Sequence, residues 1–191
     1  VDTATEKKTY DDFLNAVTTA AATCSKYAET LIQTDDDEKR SSLCSTFYTE
    51  YAVLFITVGM REARKLRLPE HCLWQLTRTC FEFVAKKFEQ HIFDRPHLPT
   101  PEPDREAALN QLRTVLLKKA LDLDDIWKFF MDKEDAEKFI IFFGAVSKEV
   151  MTKCGRKEEW PALKHPLMNT VLEAWKSTVF VQVLSPLSTV Q

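Results

Sequence analysis

Apolar residues recur at helical spacing along nearly the whole chain. Beginning near Thr9, the positions Tyr10, Leu14, Val17, Ala21, Cys24, Ala28 and Leu31 alternate steps of four and three, a seam that predicts a helix packed lengthwise against another. Thr9 followed by Asp11 and Asp12 reads as its cap and acidic first turn. Beside the seam, Ala16, Ala20, Cys24 and Ala28 form a stripe of small residues, which predicts a close neighbour within the same chain. A second helix is expected from the Thr34-Asp35-Asp36-Asp37 start to about Leu66. Its centre is apolar on almost every side (Phe47, Tyr51, Val53, Leu54, Phe55, Ile56, Val58), the mark of a buried central helix. The uncharged stretch 51–60 is only ten residues, too short to cross a bilayer.

Pro69 fits the first turn of a third helix that carries Trp74, Leu76, Phe81, Val84 and Phe88 to about Phe93. Residues 94–104 then hold Pro96, Pro99, Pro101 and Pro103. Such a run predicts an extended surface connector, although its Pro-x-Pro-x-Pro spacing also resembles ligands of aromatic-lined grooves. Beyond it, helices are expected at 105–120, with Val115, Leu116 and Leu117 inward, at 123–131, and at 134–154. Gly155 ends the last of these, and Gly144 interrupts its pattern. A final helix should open at Pro166, run through Trp175 to Leu184, and stop at Pro186. The pattern predicts an all-α protein without a sheet: about seven helices in an irregular antiparallel bundle or stack. An N-terminal three-helix part (1–93) and a connector (94–104) precede a C-terminal part (105–191) packed on the first. No tetratricopeptide-type period is present.

Composition narrows the function classes. Three glycines in 191 residues cannot supply the tight turns of an all-β fold or a phosphate-cradling loop, and neither G-x-G-x-x-G nor G-x-x-x-x-G-K occurs. The formal charge of −3 is spread evenly, with 13 basic and 15 acidic groups in residues 1–95, so no electrostatic footprint for nucleic acid stands out. The densest basic cluster, Arg61, Arg64, Lys65 and Arg67, reads as the C-terminal turn of the second helix. Five scattered cysteines without C-x-x-C point to a reducing intracellular compartment, mitochondrion or cytoplasm. The start at Val1 rather than Met is what a trimmed chain or the product of a cleaved precursor would show.

Candidate chemistry is sparse. His71 and Cys72 are adjacent, without a ligand at i+3 or i+4. Helix neighbours project about 100° apart, so the pair is expected neither to meet nor to bind metal. The acidic groups 35–38 and 122–125 read as helix starts. No catalytic triad, carboxylate-bundle motif or cofactor box appears, and the expectation is a non-enzyme without cofactor or metal. The predicted function is a structural or accessory subunit, or an adaptor, that binds protein partners in a larger assembly, with a mitochondrial complex as one setting. The uncharged tail 177–191 and the apolar run 139–146 carry that reading, because exposed apolar clusters invite association. Phe180, Leu184 and Leu187 are the expected partner anchors, with Val179, Phe142 and Phe143 beside them. No membrane span is expected, and the lack of Lys or Arg after Lys176 disfavours a membrane surface. The alternative is a carrier that encloses a hydrophobic small molecule or lipid in a Phe-rich helical cavity.

Overall fold

The computed structural model of the chain describes residues 3–31, 37–93, 102–129, 135–153 and 155–188, with side chains at 3–31, 43–87, 104–125, 140–153 and 155–188. The protein is all-α, with no strand among the described residues. Six long helices follow in order: α1 (Thr3–Leu31), α2 (Asp37–Lys65), α3 (Glu70–Phe93), α4 (Glu102–Phe129), α5 (Asp135–Lys153) and α6 (Trp160–Thr178). A short α7 (Phe180–Leu184) and a 3-10 turn (Ser185–Leu187) close the chain. The prolines of the connector up to Pro101, and the caps at 32–36, lie outside the described residues; from Glu102 the backbone is helical.

The all-round apolarity of α2 places it at the centre, where α1, α3, α4, α5 and α7 surround it. Every residue from 51 to 60 is buried. Leu43–Lys65 is long and apolar enough to cross a membrane, yet most of it is enclosed by these neighbours. Few polar atoms enter this core, and those that do are paired. The Thr57 hydroxyl donates to the Val53 carbonyl at 2.8 Å, and the Tyr51 hydroxyl meets Ser147 Oγ on α5 at 3.4 Å. Around the rim, Glu50 pairs with Lys119 and Lys153, and Arg61 with Asp124 at 2.9 Å, tying α2 to α4 and α5.

α1 packs against α2, and Ala20, Cys24 and Ala28 of its small-residue stripe are buried. Closest approach comes at Gly59, where a Cβ would stand 2.6 Å from the Phe13 ring and 3.3 Å from Phe180. Phe13, off the predicted seam, is fully buried.

Several boundaries differ from the sequence pattern. α1 starts at Thr3, and the Thr9 hydroxyl donates back to the Thr5 carbonyl at 2.9 Å; Thr9 is a helix-interior residue rather than a cap. The expected helices 105–120 and 123–131 are one continuous α4, since 121 and 122 carry no breaker residue. α5 passes through Gly144, where a Cβ would meet Met168 at 3.4 Å, and ends at Gly155 with φ 69° and the Arg156 amide returning to the Met151 carbonyl at 2.8 Å. α6 opens at Trp160 with Pro161 in its first turn, so Pro166 lies inside the helix. The predicted last helix breaks at Val179, which adopts the left-handed conformation (φ 43°, ψ 41°).

Candidate functional site

The break at Val179 decides the fate of the uncharged tail. It turns α7 back onto the bundle, where Phe180 meets Phe13 with ring centroids 5.2 Å apart. Phe180 is 3% exposed, Leu184 0% and Leu187 1%, and Ser188 Oγ donates to the Leu66 carbonyl at 3.2 Å. The expected anchors are therefore core residues of this chain. Phe142 and Phe143 are buried as well, with Phe143 edge-on to Trp175 at 6.2 Å. Of the six residues, Val179 alone is exposed. Three of the tail's large apolar side chains, Phe180, Leu184 and Leu187, are thus covered by the bundle, while Val179 and Val181 stay exposed.

Apolar surface emerges elsewhere, between α3 and α4. Trp74 is 60% exposed, Leu117 47% and Leu121 57%; of the three, Leu117 was expected to point inward. Among the described side chains of α4, Leu116 is the one that is fully buried; Val115 and Leu117 on either side of it are exposed. A shallow hollow of about 250 Å³ joins Arg78, Phe81, Arg113 and Leu117. A second, of about 90 Å³, joins Phe81 and Leu117 to Met60, Thr77 and Leu121. Because Phe81 and Leu117 line both, the strip is continuous from α3 to the last turns of α4. The Arg78 guanidinium sits 5.2 Å from the centre of the Trp74 ring and pairs with Glu82 at 2.8 Å. At the other end Asp124 binds Arg61 and Arg64. Two leucines and a charged rim thus share one face, with Trp74 one helical turn from Arg78 on α3.

A larger cleft, about 680 Å³, opens between α1, α2 and α3. Ala22, Tyr48, Phe83 and Val84 form its apolar wall, while Lys26, Glu29 and Lys87 stand among its lining residues. Much of its polarity is already engaged: Ser25 Oγ donates to the Cys44 carbonyl and Thr49 Oγ1 to the Ser45 carbonyl. Burial, followed by the neighbouring Cys80, pushes the Tyr48 phenol upward. Among the described residues, Phe13, Phe47, Phe55, Phe142, Phe143 and Phe180 are buried in the core, and Phe83 lines the cleft.

A fourth arrangement was not legible in the sequence. His71 Nε2 and Cys72 Sγ lie 3.4 Å apart in the first turn of α3, although adjacent helix positions were expected to diverge. A long imidazole can swing back over the helix end, where no preceding turn blocks it. Glu6 of α1 brings a carboxylate oxygen to the same point, and the ligand atoms of all three residues lie within 4.8 Å of one another. Tyr10 lies one turn further along α1, where burial, then the neighbouring Cys72 and Glu6, push its phenol well above the ordinary range. The adjacent His-Cys pair was visible in the sequence, but its partner lies 65 positions upstream on another helix.

Comparison of the chain with family models, curated proteins and solved structures finds no match.

Proposed function

We propose that this protein is a non-catalytic helical accessory subunit or adaptor that docks a protein partner on the α3–α4 face. The observation that carries the reading is Trp74 at 60% exposure, stacked with Arg78 at the head of a strip continued by Leu117 and Leu121. Trp and Arg are the residue types that most often dominate binding energy, and they do so when a partner excludes water around them. A tryptophan left in water gains nothing from its area. Covering it together with two leucines removes apolar surface from solvent at roughly 25 cal/mol per Å². The Arg78–Glu82 and Arg64–Asp124 pairs supply the polar rim that fixes register. In the native assembly, wild-type chain is expected to migrate on native gels well above a monomer. The Trp74→Ala, Leu121→Asp double variant should migrate as a monomer with an unchanged melting temperature. Unaltered migration of the double variant would remove this face from the account.

The cleft between α1 and α3 favours a second reading, a carrier of an amphipathic small molecule, since its volume falls in the range of ligand pockets. Filling it by Ala22→Trp should displace a co-purifying ligand detected by native mass spectrometry. A ligand-free wild-type chain would end that reading.

A further inference from the structure

We propose that Glu6, His71 and Cys72 form a binding site for one divalent cation of the Zn(II) class, clamping the first turn of α3 to the start of α1. The three donors are a carboxylate oxygen, an imidazole nitrogen and a thiol sulfur, a set that suits a borderline-soft ion and disfavours Mg(II) or Ca(II), which take oxygen ligands. Spacing agrees with the donor chemistry. Bond lengths of about 2.0 Å to nitrogen and about 2.3 Å to sulfur at a tetrahedral angle place those atoms about 3.5 Å apart. The His71 Nε2 to Cys72 Sγ distance is 3.4 Å. With all three donor atoms within 4.8 Å of each other, Glu6 needs to close by no more than about 1.5 Å to complete three corners of the tetrahedron. Its half-buried side chain has room for that rotation.

Burial grades across the cluster in the way an ion site requires. Cys72 is buried, Glu6 intermediate and His71 exposed, so the sulfur sits at the floor and the imidazole at the mouth, where an ion enters. A water molecule would complete the fourth corner of the tetrahedron. Binding replaces the Cys72 S–H bond by a sulfur–metal bond and releases that proton to solvent. Two anionic donors then outweigh the partial positive charge of the two helix N-termini. Three protein ligands from two helices 65 residues apart make the ion a cross-link, with the bound state stabilised in proportion to ion concentration over its dissociation constant.

Cobalt(II) is the probe, added to the full chain under reducing, oxygen-free conditions. One equivalent is expected to produce a near-ultraviolet thiolate-to-cobalt charge-transfer band and the intense visible bands of tetrahedral cobalt. Cys72→Ser should abolish the charge-transfer band although the other four cysteines remain. His71→Ala, a change at an exposed side chain that leaves the fold intact by circular dichroism, should weaken cobalt binding at least ~10-fold, as should Glu6→Gln. Zinc(II) should raise the melting midpoint of the wild type and leave that of Cys72→Ser unmoved. A wild-type chain without the charge-transfer band, or a band and affinity unchanged in Cys72→Ser and His71→Ala, would overturn the proposal.

Discussion

The C-terminal tail and the α3–α4 face look alike in composition and differ in fate. Both present large apolar side chains where a helical pattern has more of them than one packing surface needs. In the tail, Phe180, Leu184 and Leu187 turn into the bundle and are covered by the chain itself. On α3 and α4, Trp74, Leu117 and Leu121 stay in solvent, the two leucines beside shallow hollows. One backbone event separates the cases: the left-handed turn at Val179 re-aims everything after it, whereas α4 runs straight for 28 residues and cannot re-aim anything. Uncharged sequence is therefore a weak sign of an interface. Apolar side chains on a rigid helix whose neighbours are already saturated are a stronger one.

That contrast breaks or sharpens under substitution. Phe180→Asp tests it hardest, because it places a carboxylate in the buried contact with Phe13 and Gly59. It is expected to cost about 4 kcal/mol or more, read from denaturant melts of the isolated chain. A loss below ~1 kcal/mol would return the tail to the surface.

Alkaline pH offers the next largest effect. Burial raises the Cys24 and Cys80 thiols to about 12 from an ordinary 9.0, so between those values the unfolded chain sheds protons that the folded chain keeps. Stability is then full below about pH 9 and falls as pH rises towards 12. A Cys24→Ala, Cys80→Ala variant should show a flatter alkaline limb. Equal slopes would mean that these thiols are reached by water.

Gly59→Ala should cost about 1–2 kcal/mol: the clash with the buried Phe13 ring exceeds the ~1 kcal/mol that alanine gains in a helix. A stabilised variant would show that α1 and α2 are not in close contact there. Val179→Gly should act in the opposite direction, by about 1 kcal/mol, because a β-branched residue at φ 43° is strained and glycine is not. A loss of stability in Val179→Gly would place the chain reversal elsewhere.

Helix class, the central position of α2 and a close neighbour for α1 were legible in the sequence, since period, small-residue stripes and apolar runs are local signals that packing then obeyed. Gly155 was legible for the same reason: a glycine after an apolar-periodic segment has one common use. The joins were not. Pro166 can open a helix or ride inside one, and the choice was settled by Trp160 packing on the core. The reversal at Val179 has no sequence mark at all, because a valine is the residue least suited to it. The candidate sites failed for a related reason. Whether Leu117 points in or out depends on how many helices flank α4, and the meeting of Glu6 with His71 and Cys72 depends on α1 lying beside the start of α3. Both are tertiary facts that a pattern along the chain does not contain.

Hydroxyl-radical footprinting of Trp74 and Phe180, in the isolated chain and in its native assembly, tests the central claim most directly. Trp74 should be oxidised readily in the isolated chain and protected in the assembly, while Phe180 should be unreactive in both. Equal reactivity of Trp74 in the two states, or a Phe180 that becomes protected only on assembly, would contradict the account and restore the tail as the docking surface.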